Sequence, residues 1–373
     1  MITRDILEQV RADFGKGKVI VILGPRQVGK TTLLDQLAQE ESGVYRLNCD
    51  DYDDAQLLTN RTSTELRKLV GTYKMILIDE AQRVENIGLT LKMLADMHLP
   101  AQIVVTGSSS LDLANKINEP ATGRLYEYTL FPFSSHEMVG YTDARTEKRM
   151  LESRLVYGSY PEVVVKPQES KRILSNIVNS YLYRDLLSYQ GIKRPELLQK
   201  LVRALALQVG NEVSYNELSH LLGADRSTIE SYIRLLEQCF VIFRIESFSR
   251  NMRNEIKKGR KIYFYDNGVR NALLSNFAPL SLRNDVGALW ENYIISERIK
   301  RNARLQSYAH LYFWRTVGQQ EIDLIEEENG VLTSFEFKWN VKKTPKQPTS
   351  FAAAYPNVDF NVINKDNYLD FLN

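Results

Sequence analysis

A glycine-containing loop between an apolar strand and a helix constrains this chain more than any other feature of its 373 residues. The stretch VIVIL has the length of a buried strand, and GPRQVGKTT follows it directly. Leu33, Leu34 and Leu37 then recur with helical spacing. A strand, a Gly-x-x-x-x-Gly-Lys-Thr loop and a helix N-terminus together form a site for polyphosphate. The sequence therefore predicts a nucleotide-binding domain at the start of the chain.

Phosphate and metal binding explain the residue types in this loop. Gly24 and Gly29 let the backbone curl around phosphate oxygens, and Lys30 reaches the β- and γ-phosphates. Thr31 offers its hydroxyl to Mg²⁺. We therefore predict ATP and Mg²⁺ as cofactors. The predicted nucleotide-binding residues are Gly24, Pro25, Arg26, Gln27, Val28, Gly29, Lys30, Thr31 and Thr32.

Two further apolar strands are predicted to end beside the phosphate loop. KMILIDEAQ ends its strand in Asp79 and Glu80, and AQIVVTGSSS forms the other strand. An acid at the carboxyl end of such a strand is suited to hold Mg²⁺. We assign Asp79 to the metal and Glu80 to the attacking water. Ser108, or alternatively Thr106, is expected to contact the γ-phosphate or that water, unless these hydroxyls only cap the following helix.

Several stretches resemble, in their order along the chain, the motifs of prokaryotic AAA-type ATPases that carry a conserved C-terminal domain of unknown function. They are GPRQVGKTT, LIDEAQ, VVTGSSS, ATGRLYEYTLFPFS and YGSYPEVV. The resemblance covers nearly the whole chain. It implies an α/β fold that starts with a parallel-sheet P-loop ATPase domain, followed by a helical lid. It also implies ATP hydrolysis carried by Lys30, Thr31, Asp79 and Glu80.

The same resemblance implies a role for Arg124, which stands just before the last strand of the first domain. In related AAA+ ATPases an arginine at this place often acts as a finger on the γ-phosphate of a neighbouring subunit. Catalysis would then require a homo-oligomer. An internal salt bridge is the alternative role for Arg124, and one sequence leaves both open.

Composition and charge narrow the class of protein. Apolar residues make up 43% of the chain and charged residues 25%, as in ordinary soluble proteins. No apolar run approaches the roughly 20 residues needed to span a bilayer, and MITRDILEQVRADF lacks the apolar centre of a secretory signal. We therefore expect a cytoplasmic protein with no membrane partner.

Charge is distributed unevenly along the chain. Residues 1–140 contain 15 Lys/Arg and 19 Asp/Glu, whereas residues 141–373 contain 33 Lys/Arg and 27 Asp/Glu. The basic excess of the second part permits a nucleic-acid partner there.

The middle of the chain changes organisation twice. Residues 141–194 have a helical pattern, interrupted by YGSYPEVVV, that we interpret as the lid. Residues 195–268 then predict a winged helix, with two helices joined by a short turn and two strands around a polar loop. The positions predicted to face inward are Leu218, Leu221 and Leu222 on the first helix and Ile229, Tyr232, Ile233 and Leu236 on the second.

Cations in this winged helix make double-stranded DNA the predicted partner. The outward positions of the second helix are Arg226, Ser227, Thr228, Ser231 and Arg234. The wing adds Arg250, Arg253, Lys257, Lys258, Arg260 and Lys261, against Glu255 alone. Such clusters contact phosphates without reading base sequence. The alternative is that the winged helix serves only as a structural joint.

A hairpin with a polar face is predicted near the end of the chain, in EIDLIEEENGVLTSFEFKW. Side chains two positions apart share one face of a strand. Glu321 therefore lies on the same face as Asp323, and Glu336 on the same face as Lys338. The Asn-Gly step between the two strands favours a tight turn. Like charges facing one another across strands are unfavourable unless a cation relieves them, which favours a site over a solvated face.

Together with the helix that carries Glu291, this hairpin resembles the core of PD-(D/E)XK nucleases. The resemblance implies a restriction-endonuclease-like α/β domain in which Glu291, Asp323 and Glu336 bind one or two divalent cations. It assigns Lys338 to position or polarise the water that attacks a phosphodiester. Glu321 shares the face but does not match the motif. The alternative is an exposed edge strand whose lysine discourages strand pairing.

The sequence thus predicts four domains: an ATPase domain (1–140), a helical lid or linker (141–194), a winged helix (195–268) and a nuclease-like domain (269–373). The predicted function is that of a Mg²⁺-dependent AAA-type ATPase acting on DNA, and whether the last domain cleaves nucleic acid stays open. The rival is a nucleotide-switched signalling or scaffold protein that binds a protein partner and cleaves nothing. Salt-dependent binding to duplex DNA separates the two.

Overall fold

The chain divides into two compact units in its computed structural model. The structure describes residues 2–39, 41–107, 123–179, 192, 194–249, 259–316, 318–341 and 344–373. The first unit comprises Met1–Phe131 with Gln238–Phe240, and the second comprises Pro132–Glu237 with Val241–Asn373. Ser108 and the wing residues 250–258 lie outside the described residues.

The first unit is built on a parallel sheet. Its described strands pair in the order β2-β3-β4-β1-β5, and each neighbouring pair is parallel. The strands are Val19–Leu23 (β1), Val44–Asn48 (β2), Met75–Asp79 (β3), Gln102–Gly107 (β4) and Leu125–Thr129 (β5). Its described helices are Ile6–Ala12 (α1), Lys30–Gln39 (α2), Tyr52–Leu58 (α3), Ser63–Val70 (α4) and Ile87–Asp96 (α5).

Strands β1 and β3 flank the central strand β4 and are completely buried. Every residue of both strands is buried, as expected for parallel strands covered on both faces. Because all the strands run in one direction, their carboxyl ends lie along one edge of the sheet. The glycine loop follows β1 and the Asp79-Glu80 pair ends β3, so the fold brings both predicted motifs to that edge.

The second unit combines helices with a mixed sheet. The helices run over Ser135–Tyr141 (α6), Ala144–Tyr157 (α7), Pro161–Val165 (α8), Ser170–Asn176 (α9), Pro195–Leu207 (α10), Tyr215–Leu222 (α11), Arg226–Gln238 (α12), Asn267–Leu273 (α13), Val286–Arg304 (α14), Thr349–Ala354 (α15) and Tyr368–Leu372 (α16). The strands are Glu212–Val213 (β6), Ile242–Ser247 (β7), Arg260–Phe264 (β8), His310–Arg315 (β9), Glu321–Glu328 (β10), Val331–Phe337 (β11) and Asp359–Ile363 (β12).

One sheet runs through both predicted C-terminal domains. Its described strands have the order β12-β11-β10-β9-β7-β8-β6, with β7 and β9 paired in parallel. Strands β6 to β8 come from before residue 268 and strands β9 to β12 from after it. The sequence-predicted boundary at 268 therefore falls between strands of a continuous sheet.

The predicted hairpin is confirmed. Strands β10 and β11 pair in antiparallel fashion with Leu324 opposite Phe335. At the turn, Asn329 has φ 52° and Gly330 has φ 78°, the positive values that a two-residue turn between such strands requires. Phe335 and Phe337 are buried.

Helices α11 and α12 are joined by a tight turn at Gly223, which has φ 60°. The four inward positions predicted on α12 are all buried: Ile229, Tyr232, Ile233 and Leu236. On α11 the prediction holds for Leu218 but is wrong for Leu221, which is 66% exposed. Leu221 lies in the last turn of α11, where the chain turns away at Gly223 and leaves that side chain facing solvent.

The segment predicted as a lid belongs to the second unit. Asn271 on α13 donates from its Nδ2 to the carbonyls of Leu155 (3.1 Å) and Val156 (2.9 Å) at the end of α7. Gly158 follows α7 so closely packed on Asp266 that a Cβ there would lie 2.1 Å from a carboxylate oxygen. These contacts fix the segment to α13, and its role as a lid stays a prediction. Among the described residues, no helix has the length and apolar character needed to cross a membrane.

Candidate functional site

The glycine loop is held tightly against Leu130, the residue that follows β5. Leu130 donates its backbone N–H to the carbonyl of Leu23 at 2.7 Å. A Cβ added to Gly24 would lie 2.2 Å from the carbonyl oxygen of Leu130, closer than any real contact. Only glycine therefore fits at position 24, because any side chain would clash with Leu130. This packing requirement adds to the backbone freedom that the motif already requires of glycine.

Lys30 is buried inside this loop, with 4% of its surface exposed. Its Nζ donates to the carbonyl oxygens of Gly24 and Pro25, both at 3.0 Å. Burial lowers the pKa of Lys30 to about 8, although the nearby Glu80 and Asp79 favour the charged form. The ammonium group thus lies inside the glycine loop, and its contact with the β- and γ-phosphates stays a prediction.

Three hydroxyl and carboxylate groups meet where the glycine loop approaches β3. Thr31 donates from Oγ1 to Asp79 Oδ2 at 2.8 Å, and Thr106 donates to Asp79 Oδ1. Asp79 is 4% exposed and Thr106 is fully buried. Thr31 and Asp79 are hard oxygen ligands of the kind that Mg²⁺ prefers, and Mg²⁺ usually takes its remaining ligands from phosphates and water. These two residues fit the predicted metal.

Glu80 adopts a left-handed backbone conformation, with φ 52°. Its N–H donates to Thr106 Oγ1 at 3.2 Å, and its carboxylate accepts from Nε2 of Gln82. The hydroxyl of Thr106 therefore contacts the carboxylate of Asp79 and the backbone N–H of Glu80. These hydrogen bonds hold Asp79 and Glu80 against β4, and contact of Thr106 with the γ-phosphate stays a prediction.

Sequence reasoning missed two arginines beside the loop. Arg4 is buried and donates to the carbonyls of Val28 and Phe131, both at 2.6 Å. Arg46, on β2, pairs with Asp35 and has its Nη2 3.8 Å from Asp79 Oδ2. Neither belongs to a motif. Arg46 shares one face of β2 with Asn48, two positions later, and Asn48 is in register with Asp79. This alternation is the only signal in the sequence that would have placed Arg46 near the site.

Arg124 lies at the opposite edge of the sheet from the glycine loop. Its carbonyl accepts from Val19 N, at the start of β1, and β1 leads into the loop at its other end. Five residues at about 3.3 Å per residue separate the two edges by roughly 17 Å. The Arg124 side chain forms a salt bridge with Asp96, and both residues are partly exposed. The described contacts of Arg124 therefore lie at the edge of the sheet away from the glycine loop of its own chain.

A second group of ionisable side chains lies in the second unit. Asp323 is 8% exposed and accepts from the backbone N–H of Phe337 at 2.7 Å. Glu336 pairs with Lys338 at 2.5 Å. Burial raises the pKa of Asp323, and burial together with Asp323 raises the pKa of Glu336. The hairpin residues therefore do share one electrostatic environment, as their alternation predicted.

Glu291 is connected to this group by Lys261, a residue that the sequence predicts to lie in the wing. Lys261 was predicted to be a wing cation, yet it is 1% exposed. Its Nζ lies 2.9 Å from Glu291 Oε1 and 2.5 Å from Glu321 Oε1. Tyr263 also donates to Glu291 Oε1, at 2.6 Å. The wing prediction was wrong for Lys261 because strand alternation turns its side chain into the unit, where two acids receive it.

The metal ion predicted at this group requires its acidic side chains to lie close enough together to bind it. Among the described residues, no three His, Cys, Asp or Glu side chains come close enough together to hold a metal ion. Glu291, Asp323 and Glu336 interact electrostatically, but Lys261 lies between Glu291 and the hairpin acid Glu321. Burial raises the pKa of Glu291 to about 7, against the opposing effect of Lys261. The three residues assigned to the metal do not fit one as they stand.

Family comparisons divide the chain into three parts. Residues 16–139 match the family described as "AAA domain" (AAA_14). This region is similar to P-loop ATPases. Residues 148–280 match "Domain of unknown function (DUF8612)" and residues 286–369 match "Domain of unknown function (DUF4143)". The AAA match spans the glycine loop, Asp79 and Glu80, and it supports ATPase activity in the first unit.

Similar proteins extend over most of the chain. An uncharacterized protein of Mycobacterium tuberculosis is 27% identical over 341 residues, which are 90% of this chain and 73% of the relative. One of Haemophilus influenzae is 28% identical over 276 residues, 67% of this chain and 68% of the relative. Among solved structures, Drosophila ORC bound to AT-rich DNA and Cdc6 is 11% identical, with 72% of this chain and 92% of that chain covered. Its TM-score of 0.21 is too low to indicate a shared fold.

Proposed function

We propose that the first unit hydrolyses ATP with Mg²⁺. The observation that carries this proposal is the 2.8 Å hydrogen bond between Thr31 and Asp79, made beside a buried Lys30. In this arrangement Lys30 binds the β- and γ-phosphates, and Thr31 and Asp79 hold the metal. The metal would neutralise charge that develops on the phosphates. Glu80 orients the attacking water at the same edge of the sheet.

Asp79→Asn tests this assignment. The amide keeps the size of the side chain but removes the charge that attracts Mg²⁺, so phosphate release should fall by about 10²-fold or more, since metal stabilisation is worth several kcal/mol. Asp359→Asn, at an exposed position that starts β12, is the matched control and should behave as wild type. Equal rates in wild type and Asp79→Asn, or wild-type rates that persist in excess EDTA, would exclude the proposed metal site.

We further propose that the second unit contacts duplex DNA through α12, as the exposed helix of a winged helix. Support comes from the side chains that α12 turns to solvent: Arg226, Ser227, Ser231 and Arg234 are exposed, and Thr228 is half-buried. Arg226 forms an exposed pair with Glu230, so it has a competing partner on its own helix. The wing contribution is smaller than the sequence suggested, because Lys261 is buried and Arg260 packs over the ring of Tyr215.

Salt dependence of binding tests the DNA proposal. Replacing both Arg226 and Arg234 by Ala should weaken binding to a fluorescent duplex and reduce the slope of log K against log salt by about 2, since each phosphate contact contributes about 0.9. Lys171 and Arg172, exposed on α9, are the matched control pair. If both double variants bind like wild type, or if binding does not depend on salt, the rival function of a nucleotide-switched scaffold for a protein partner gains support instead.

The nuclease-like fold of residues 269–373 is also retained as a proposal. It is supported by the order of Glu291 on α14, Asp323 on β10, and Glu336 with Lys338 at and just after the end of β11. A fold of this kind does not by itself imply cleavage. No catalytic step is assigned to these residues, because the acids do not form a metal site as they stand.

A further inference from the structure

Lys261 occupies the centre of a group of carboxylates in the second unit. It comes from β8, which precedes the region matched to DUF4143. Its Nζ contacts Glu291 at 2.9 Å and Glu321 at 2.5 Å, and it lies 5.4 Å from the centre of the Phe313 ring. Two anions and an aromatic face therefore surround one ammonium group that is almost completely removed from solvent.

The carboxylates of this group already form hydrogen bonds and ion pairs within the protein. Glu291 accepts from Tyr263 as well as from Lys261. Asp323 accepts from a backbone N–H, and Glu336 is paired with Lys338. A buried carboxylate needs a cation or donors to offset its loss of water. Here the donors come from side chains and backbone, and the most deeply buried cation among them is Lys261.

Lys261 competes with a divalent cation for the same carboxylates, Glu291 and Glu321. Mg²⁺ binds oxygens at about 2.0–2.1 Å and Ca²⁺ at about 2.3–2.6 Å, which requires the carboxylates to converge on the ion. The Lys261 ammonium instead holds Glu291 and Glu321 around itself and repels a second cation. Two carboxylates in direct contact with this ammonium favour its charged form.

We propose that Lys261 takes the place of a metal ion in the second unit, as a cation built into the chain. The carboxylate group then keeps its arrangement without a divalent ion, and the second unit does not cleave phosphodiesters. This role does not depend on ATP hydrolysis by the first unit.

Mn²⁺ binding to the nucleotide-free protein tests the proposal, with free Mn²⁺ followed by electron paramagnetic resonance. Asp79→Asn serves as the background, because it removes the ligand proposed for the nucleotide site. This protein should bind no Mn²⁺ at the carboxylate group. Adding Lys261→Met, which preserves side-chain volume but removes the charge, should create one Mn²⁺ site. Lys166→Met, at an exposed lysine of the same unit, is the matched control and should create none.

Thermal unfolding gives an independent readout. Removing one partner of a buried ion pair is strongly destabilising, so Lys261→Met should lower Tm by on the order of 10 °C. Added Mn²⁺ should recover part of that loss in Lys261→Met and leave Tm unchanged when Lys261 is present. A folded Lys261→Met protein that binds no Mn²⁺ would overturn the proposal.

A second comparison decides the matter even if Lys261→Met does not fold. It uses the Asp79→Asn protein with Lys261 intact, with and without Asp323→Asn. If the first binds Mn²⁺ and Asp323→Asn abolishes that binding, a metal coexists with Lys261 and the proposal fails. If neither binds Mn²⁺, the proposal stands. Supercoiled plasmid incubated with Mg²⁺ or Mn²⁺ and ATP should remain uncut by wild type and by Lys338→Ala alike, whereas nicking by wild type alone would contradict it.

Discussion

Thr31 donates its hydroxyl hydrogen to Asp79 Oδ2 over 2.8 Å, although the two residues are 48 positions apart. The bond joins the first turn of α2 to the end of β3. It places a hydroxyl and a carboxylate side by side, next to the loop that holds Lys30. Two motifs that the sequence presents separately therefore lie together in one candidate site, and the following predictions concern its residues and Arg124.

Glu80→Gln should retain ATP binding and lose hydrolysis. The amide preserves the size of the side chain but does not accept a proton or orient water as a carboxylate does, so kcat should fall by about 10²–10⁴-fold. Steady-state phosphate release measures kcat, and a fluorescent ATP analogue measures Kd. Glu85→Gln, at an exposed position on the same connection, is the control. An unchanged kcat in Glu80→Gln would remove this residue from the mechanism.

Thr106→Val should impair both stability and catalysis. Valine keeps the shape of threonine but removes the hydroxyl that contacts Asp79 and the N–H of Glu80. The unpaired buried groups should cost about 1–3 kcal/mol of unfolding free energy. Misplaced acids should lower kcat by about 10–100-fold. Thr106→Ser, which restores the hydroxyl, should recover most of kcat, and failure of that rescue would indicate a packing role only.

Lys30→Met should change the pH dependence of stability in the nucleotide-free protein. The pKa of Lys30 is lowered to about 8 by burial, against about 10.4 in the unfolded chain. Between those values the unfolded chain binds more protons, so the destabilising effect of Lys30 is fully present below pH 8 and fades as pH rises. The stability of Lys30→Met relative to wild type should therefore be greater at pH 7 than at pH 9.5, by about 2 kcal/mol.

Denaturant unfolding at the two pH values measures this difference, since groups common to both proteins cancel. A stability difference between Lys30→Met and wild type that is the same at pH 7 and pH 9.5 would show that Lys30 is not buried as a perturbed cation. The same variant should bind ATP much more weakly than wild type.

Arg124→Ala distinguishes the two roles left open for Arg124. If Arg124 acts as a finger on a neighbouring subunit, Arg124→Ala should lower kcat by about 10³-fold or more, as for other arginine fingers. Asp96→Ala, which removes the other partner of the salt bridge, should leave kcat unchanged. Mixing Arg124→Ala with Glu80→Gln protein should restore activity, since each supplies the group that the other lacks. Equal, small effects of Arg124→Ala and Asp96→Ala would favour the internal salt bridge.

Local patterns predicted much of the fold. The apolar run before Gly24 and the run that ends in Asp79 are strands because of their length and composition, and both are buried along their whole length. The Asn329-Gly330 turn followed from the backbone preferences of two residues. The inward face of α12 followed from helical spacing. In each case a few neighbouring residues contain the whole signal.

Other predictions from local pattern were wrong or incomplete. Leu221 fits the helical spacing but lies where α11 ends. Lys261 belongs to a run of cations, yet its strand position turns it inward. Charge counted along the sequence therefore overestimated the cations available to DNA, because a count does not include the direction of a side chain.

The sequence by itself determined the phosphate loop, the acids that end β3 and the polar face of the hairpin, since these depend on neighbours within a few positions. Only the tertiary structure decided that Thr106 contacts both Asp79 and Glu80, and that Lys261 pairs with Glu291 and Glu321. Those contacts join residues 26 to 60 positions apart, and their partners follow from the order in which strands pair. Strand order depends on burial across the whole unit, so no local stretch of sequence encodes it.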